Sequence, residues 1–472
     1  MFYTAFIIGK KELWDIFIMD LSETRKRVRP TQIILIGFIA FIFFGAVLLN
    51  LPFSASSGQS IGFLTALFTS TSAVCVTGLS VIEVGTVLSP FGQVVLLLLI
   101  QIGGLGFMIT TSFIFMLIGK RITLKERMVL QESLNETSLS GIVRMARNIL
   151  LATLIIESIG ILLLMIRFVP DFGIAKGLWF SVFHAISAFC NAGFDILGLG
   201  TSFETYVNDP IVNFTIMGLI IIGGIGFFVI LEVFRRMTHH EKHKFSTHTK
   251  IILMTTIVLI VAGFAIFLIV EYNNPKTLGS LPVGNKIMSA LFESVTTRTA
   301  GFSTIGQGGL ASVSKLTAII LMFIGASPAG TGGGIKTSTF TVVILVVLSI
   351  IRGQDDVTVM KRRLGRDVAM RAVAITFLAL AFVGVFTIAL SVAESHSFEI
   401  SDLLFELTSA FGTVGLSTGI TAHLSEASRI ILILAMYVGR VGLLTITFAI
   451  ANRMSSKTHN KMKYPEDKVM VG

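Results

Sequence analysis

The stretch TSAVCVTGLS, Thr71 to Ser80, decides the fold, because it returns three times as ISAFCNAGFD (Ile186 to Asp195), SVTTRTAGFS (Ser294 to Ser303) and TSAFGTVGLS (Thr408 to Ser417). Aligned on Gly78, Gly193, Gly301 and Gly415, the copies are 115, 108 and 114 residues apart. That period is far too long for a solenoid unit and suits a duplicated module of several elements. Each copy follows a short apolar stretch, GFLTALFTSTSA before the first and GLWFSVFHAISAF before the second. Such stretches are too short to cross a hydrocarbon core of about 30 Å and predict re-entrant helices.

A glycine that ends a re-entrant helix places irregular backbone at membrane depth. This is tolerated only where the backbone is enclosed by protein or lines a watery path. Glycine can take positive φ and so lets successive carbonyls face one axis, where a ring of them can replace the hydration shell of a monovalent cation. Four copies supply four sides. The expected filter is therefore Val76, Thr77 and Gly78; Asn191, Ala192 and Gly193; Thr299, Ala300 and Gly301; and Thr413, Val414 and Gly415.

The composition agrees with a chain that lives in lipid. Of its residues 53% are hydrophobic and only 14% charged, with a mean hydropathy of +0.86, which describes a polytopic membrane protein. A net charge of +10 would suit nucleic acid if it formed one patch. Instead, 28 of the 37 Lys and Arg fall in five segments, 1–30, 119–148, 235–250, 352–371 and 453–472, which alternate with the glycine motifs. By the positive-inside rule these segments and both termini are cytoplasmic and the glycine turns face outward, in a multi-pass protein of the cell membrane that binds no nucleic acid. Cys75 and Cys190, each three residues before its glycine, read as small residues packed behind a turn. The opening MFYTAFIIG precedes its charges, the reverse of a secretory signal; it is either a short interfacial helix or lies ahead of a true start at Met19.

The predicted architecture is an all-α membrane protein of four modules, each a span, a re-entrant helix and a second span, eight spans in all around one pore of pseudo-fourfold symmetry. The divisions are an N-terminal segment 1–30, modules 31–120, 121–236, 237–352 and 353–453, and a C-terminal tail 454–472. The spans expected are Gln32–Pro52, Gly92–Gly119, Asn148–Val169, Ile211–Phe234, Ile251–Glu271, Lys315–Ile351, Met370–Ala393 and Ser428–Ala451. The second spans carry IGGLGF (102–107), IGGIGF (222–227), IGASPAGTGGGIKT (324–337) and VGRVGL (438–443). Small residues that let helices approach suffice to explain the first two. The third sits in a 37-residue stretch that as one helix would be about 55 Å long, so it must break. Proline removes a donor, and each glycine weakens a helix by up to about 1 kcal/mol. Gly325, Ala326, Ser327, Pro328, Ala329, Gly330, Thr331, Gly332, Gly333 and Gly334, with Lys336 behind them, form a candidate gate loop below the filter. Arg440, a cation inside the matching span of the fourth module, is its candidate partner through its five donors. Arg298 must point away from the ion path, with Glu293 and Glu406 as candidate partners.

Four modules with one glycine per filter, the loop GASPAGTGGGIKT and Arg440 opposite it resemble the Trk/Ktr/HKT superfamily of potassium uptake proteins, the bacterial Ktr membrane subunit above all. The likeness runs from Pro30 to the C-terminal KYPEDKVMVG. It implies K+ as the transported ion, Gly78 in place of the serine of some sodium-conducting relatives, and flux stimulated by Na+. It further implies a homodimer with one pore per subunit on a cytosolic ring of nucleotide-binding (RCK-type) regulatory subunits, and no organic cofactor. The chain agrees with a separate regulator, having no GxGxxG after a soluble strand.

Other readings make different demands. An alternating-access symporter would place acidic residues at the midplane, where only Glu157 and Glu232 are candidates. A membrane enzyme would need a clustered nucleophile, base or metal set, and His184 stands alone at depth. No enzyme activity is expected.

Overall fold

The computed structural model describes residues 30–445 except 107–108, 111, 113–121, 135–140, 199, 240–244, 355, 396 and 444. The expected N-terminal segment, including the Met19 alternative, and the C-terminal tail lie outside the described residues, apart from Pro30 at the edge of the former.

Helices dominate, and their order repeats. Four long ones, α1 (Pro30–Leu49), α5 (Ile142–Phe172), α9 (Thr247–Glu271) and α13 (Arg366–Ala393), are long and apolar enough to cross a membrane. Each is followed by a short helix: α2 (Phe63–Val74), α6 (Ile174–Phe189), α10 (Val283–Thr296) and α14 (Ile400–Gly412). After each glycine turn comes a second helix: α3 (Pro90–Leu105), α7 (Pro210–Gly224), α11 (Ser312–Phe323) and α15 (Glu426–Val441). Besides single helical turns, the described residues also form α4 (Leu124–Leu134), α8 (Phe227–His239), α12 (Thr337–Ile351) and a hairpin of β1 (Thr358–Val359) with β2 (Arg362–Arg363).

The long helices are apolar on all faces, and the outward faces are bare: Phe43, Phe44, Leu162, Ile257, Phe377 and Ile388 are all exposed. In water such a surface would drive association, whereas in lipid it is the expected exterior. The short helices are the reverse over their later turns, which are enclosed nearly all round. Phe68, Phe183, Phe292 and Phe405 occupy one equivalent position on them and are fully buried, each worth about 2 to 3 kcal/mol of apolar burial. Polar ties cross each seam between successive units. Trp179 Nε1 donates to Gln93 Oε1 at 2.8 Å, Phe203 N to Ser303 O at 2.9 Å, Lys315 Nζ to Asp402 Oδ1 at 2.8 Å, and Tyr437 Oη to Leu35 O at 3.0 Å. The last of these joins the final unit to the first.

Three of the second helices differ from expectation. The expectation is of continuous spans with only the third broken, but α3 is interrupted at Gly106 (φ 80°), α15 at Gly442 (φ 90°), and α7 turns through 102° into α8 at Gly226 (φ 93°); the far ends of the first and fourth of these spans, 113–119 and 446–451, lie outside the described residues. The cause is the last glycine of IGGLGF, IGGIGF and VGRVGL, which takes a conformation no helix contains. The third break is wider but of the same kind. The β hairpin in the basic segment after α12 was likewise not anticipated; Met360 and Lys361 turn it with positive φ.

Candidate functional site

The four glycine turns share one backbone. Gly78, Gly193, Gly301 and Gly415 have φ of 90°, 67°, 80° and 96°. Two residues earlier, Val76, Asn191, Thr299 and Thr413 also have positive φ, 51°, 58°, 72° and 51°. In a strand successive carbonyls alternate sides; a left-handed residue at every second position lets them face the same side instead. Holding non-glycine residues there stores about 1 to 2 kcal/mol each, which only a surrounding that over-determines the turn can sustain.

That surrounding begins with hydroxyls on the short helices. Ser72 Oγ accepts from Gly78 N and Ser409 Oγ from Gly415 N, both at 3.0 Å, while Ser187 Oγ donates to Phe194 O at 2.8 Å and Thr296 Oγ1 to Phe302 O at 2.5 Å. Backbone bonds close the turns: Thr77 N to Ser72 O, Ala192 N to Ser187 O and Val414 N to Ser409 O span five residues, at 2.7 to 2.8 Å. The third turn spans four, Ala300 N to Thr296 O at 3.0 Å, because its chain has one residue fewer between the buried Phe292 and Gly301.

The glycines then meet one another in a ring. A Cβ on Gly78 would strike the carbonyl of Ala192; one on Gly193, that of Ala300; one on Gly301, that of Val414; and one on Gly415, that of Thr77. Each turn abuts the residue before the next unit's glycine, and the circuit closes. Positive φ and absence of a Cβ are therefore both required at all four positions.

The second helices support the ring from behind. A Cβ on Gly103, Gly223 or Gly439 would meet the carbonyl of Val74, Phe189 or Phe411, the ends of the short helices of their own units. The packing explanation of those glycines thus holds, while the last glycine of each motif serves the break. Cys75 and Cys190 are buried as free thiols behind the turns.

Against the ring lies the loop Ile324–Lys336. It closes on itself through a bridge between Ile324 and Ile335, with Ala326 N donating to Gly333 O at 3.2 Å and Lys336 Nζ to Gly332 O at 2.8 Å. Its other contacts reach the second and fourth units and the turn of its own unit. Ser327 N donates to Gly224 O at 2.9 Å, Thr331 Oγ1 to Phe189 O at 3.2 Å, and Gly333 N to Thr413 Oγ1 at 2.8 Å. Gly332 lies against the Thr299 hydroxyl so closely that a Cβ would overlap it. Arg440 donates to Thr331 O and, through its other terminal nitrogen, to Gly103 O and Gly104 O. The guanidinium is thus a rivet between the loop and the end of α3, using its planar fork on carbonyls rather than on an acid.

Other sequence candidates have structural roles. His184 Nδ1 pairs with Phe180 O at 2.7 Å and its Nε2 accepts from Ile196 N at 3.3 Å. Glu157 accepts from Gln101 Nε2 at 3.1 Å, and Glu232 from Ser246 N at 2.7 Å. Arg298 pairs with neither Glu293 nor Glu406; its terminal nitrogen reaches Thr256 O at 3.5 Å on α9. Glu406 instead accepts from Ser417 Oγ, Thr418 N and Thr421 Oγ1 at 2.6, 3.0 and 2.7 Å. His184 and Glu406 each follow the buried phenylalanine, and each takes the amide three residues past its glycine. This pinning position was not foreseen, though the aligned copies display it as the residue after Phe183 and Phe405.

The comparisons with known proteins fall on the whole chain. The family model described as TrkH, cation transport protein, matches residues 5–462. The chain is 41% identical over 448 residues to Ktr system potassium uptake protein B of Bacillus subtilis, covering 94% of this chain and 97% of that one. It is 38% identical to potassium/sodium uptake protein NtpJ of Enterococcus hirae, covering 96% and 99%. The crystal structure of the potassium transporter TrkH from Vibrio parahaemolyticus superposes with a TM-score of 0.69 at 15% identity, over 91% of this chain and 86% of that one, which bears on the fold alone. The repeated glycine turns and the match from residue 5 to 462 lead to one conclusion: the chain belongs to the TrkH family of cation transport proteins.

Proposed function

We propose that this chain is the ion-translocating subunit of a potassium uptake system, with the ring of Val76–Gly78, Asn191–Gly193, Thr299–Gly301 and Thr413–Gly415 as its K+ filter. The closed circuit of glycine-to-carbonyl contacts carries the reading. It supports four sets of carbonyls aimed at one axis, as dehydrating a monovalent cation requires. The names of the two relatives, one a potassium and one a potassium/sodium uptake protein, support the ion class. An inside-negative membrane contributes about 2.3 kcal/mol per charge per 100 mV, enough to accumulate K+ without chemistry.

In this reading the long and second helices make eight crossings in four modules around one pore, with both termini cytoplasmic in the cell membrane. The loop Gly325–Gly334 with Lys336 is the gate, plugging the path below the ring while Arg440 clamps it. Flux is stimulated by Na+, the subunit works as a homodimer, and a separate cytosolic RCK-type ring shifts the gate between two states. The exposed hairpin at Arg362 and Arg363 offers that ring a docking point. The test is uptake of K+ by cells lacking their own K+ transporters: rescue by the full chain, lost on replacing Gly415 with Ala at normal membrane abundance, is the expected result. Rescue by that variant with unchanged ion preference would sink the filter assignment.

A further inference from the structure

The third unit holds a buried carboxylate unlike its counterpart in the fourth. Glu406, one residue past the buried Phe405, has both oxygens occupied by donors. Glu293 holds the same place past Phe292 and is fully buried, yet only its Oε2 has a partner, Gln307 Nε2 at 2.9 Å; its Oε1 has none. The shortened turn of this unit explains the mismatch. With one residue fewer between Phe292 and Gly301, the amide that pins Glu406 in the fourth unit, that of Thr418, has as its counterpart that of Thr304, which makes no such bond here.

Three further buried oxygens without partners lie on the two segments that meet at that carboxylate, α10 and the loop from Gly301 to Gln307. The Gln307 amide, 5% exposed, spends its nitrogen on Glu293 and Ile305 O and leaves its own Oε1 without a donor. Ser289, fully buried, sits one turn before Glu293 on α10 and thus on the same face, and its Oγ is also unpartnered. Thr304, 3% exposed and three residues past Gly301, has an unpartnered Oγ1. The ion pairs among the described residues, Arg167–Asp209, Lys315–Asp402 and Arg363–Asp356, include no partner for Glu293. Glu271 at the end of α9 adds a second buried carboxylate nearby, itself satisfied by Ala311 N, Asn274 Nδ2 and Thr277 Oγ1.

A buried carboxylate without a counter-charge is expensive. An acid oxygen, an amide oxygen and two hydroxyls make a hard, all-oxygen donor set of low charge, which suits a cation of the first group better than a divalent ion. We infer that Glu293, Gln307, Ser289 and Thr304 form a binding site for an alkali-metal cation behind the third glycine turn, separate from the ring. Its occupant holds Glu293 to the loop after Gly301 in place of the amide that pins Glu406, and so stiffens this turn. The inference goes beyond the proposed transport function and does not rest on it.

The test is the thermal stability of the full-length purified protein in NaCl, KCl, MgCl2 and choline chloride at matched ionic strength. Four variants join the wild type: Glu293→Gln, Glu293→Asp, Ser289→Ala and Glu406→Gln. One of the two alkali salts should raise the wild-type melting temperature more than choline. That increment should fall in Glu293→Gln to whatever cation bound in the glycine ring alone supplies, and persist in full in Glu293→Asp. In Ser289→Ala it should require about fivefold more cation or more, the usual consequence of losing one hydroxyl ligand. Glu406→Gln should melt lower overall but keep the full increment, which separates a lost ligand from the loss of any buried acid. An increment unchanged in both Glu293→Gln and Ser289→Ala would overturn the site, as would one obtained only with Mg2+. Stabilisation of the wild type by acidification in choline, with no alkali-specific increment, would mean that Oε1 carries a proton and would equally overturn it. Should Glu293→Gln fail to fold, Ser289→Ala and Glu293→Asp decide alone.

Discussion

The four glycine turns and the loop Ile324–Lys336 are both glycine-rich backbone enclosed in the same molecule, and they lie against one another, yet they are held in opposite ways. Each turn is fastened by its own short helix, through a five- or four-residue backbone bond and a hydroxyl such as that of Ser72 or Ser409, before it meets its neighbours. The loop is tied to itself at its base, by Ile324–Ile335, Ala326 N to Gly333 O and Lys336 Nζ to Gly332 O, but is fixed in place from outside. It depends on Gly223 O, Gly224 O, Phe189 O, Thr413 Oγ1 and Arg440, which belong to other parts of the chain. Local fastening suits a part that must keep sub-ångström geometry; distributed fastening suits one that is to be released as a unit.

The largest effects should come from breaking the turns. Gly415 combines φ of 96° with an overlap between any Cβ and Thr77 O, so Gly415→Ala should abolish K+ uptake in transporter-deficient cells. Gly78→Ser is expected to change the K+ to Na+ uptake ratio by about tenfold or more, since 1.4 kcal/mol, well within the strain of a side chain at positive φ, already equals that factor. An unaltered ratio would mean that the turns do not select.

Breaking the loop should do the reverse and raise flux. Losing a charge-assisted hydrogen bond worth about 1.5 to 3 kcal/mol shifts a two-state equilibrium by roughly ten- to a hundredfold. Arg440→Ala, or deletion of Ala329–Gly333, should therefore give that much more flux without the regulator and little response to it, with the ion ratio preserved. Low and fully regulated flux in the deletion would assign gating elsewhere and make the loop a simple helix break.

A smaller effect tests whether the turns are as self-sufficient as they look. Ser72→Ala and Ser409→Ala each remove one hydroxyl from a glycine amide but leave the five-residue backbone bond, so the K+ to Na+ ratio should fall about fivefold, the equivalent of about 1 kcal/mol. A change as large as that of Gly78→Ser would show that the hydroxyl, not the backbone, holds the turn. The smallest effect on transport itself should follow from reversing Arg362 and Arg363 to Glu on the hairpin. Membrane insertion and ion ratio should stay the same while co-purification of a regulatory ring weakens; unchanged association would confine these residues to topology.

Much of this contrast was legible in the residues and some was not. Periodicity exposed the four glycines, and the impossible length of Lys315–Ile351 exposed the loop. Arg440 stood out as a charge in an apolar run, and the structure has it on Thr331 O. The positive φ of Val76, Thr299 and Thr413 was hidden because β-branched residues avoid that conformation and take it here only under the pressure of the ring. The breaks at Gly106, Gly226 and Gly442 were hidden because one glycine in an apolar helix has two readings, packing or kink, and sequence offers no arbiter between them. Arg298 misled for another reason: the nearby acid Glu293 turns one oxygen to Gln307 of its own loop, while Arg298 reaches Thr256 O on α9.

The closure of the ring sets an order on the protein's birth. The contact of Gly415 with Thr77 O and the bond of Tyr437 to Leu35 O join the two ends of the described chain. The first turn therefore leaves the ribosome with one flank open and keeps it open through three more units. The same holds for the loop, which is made before the arginine that clamps it. Until the last helix is inserted, every intermediate has an unfinished polar edge within lipid, the kind of defect that membrane quality control recognises. A chain stopped short of Arg440 should thus be degraded rather than accumulate in the membrane.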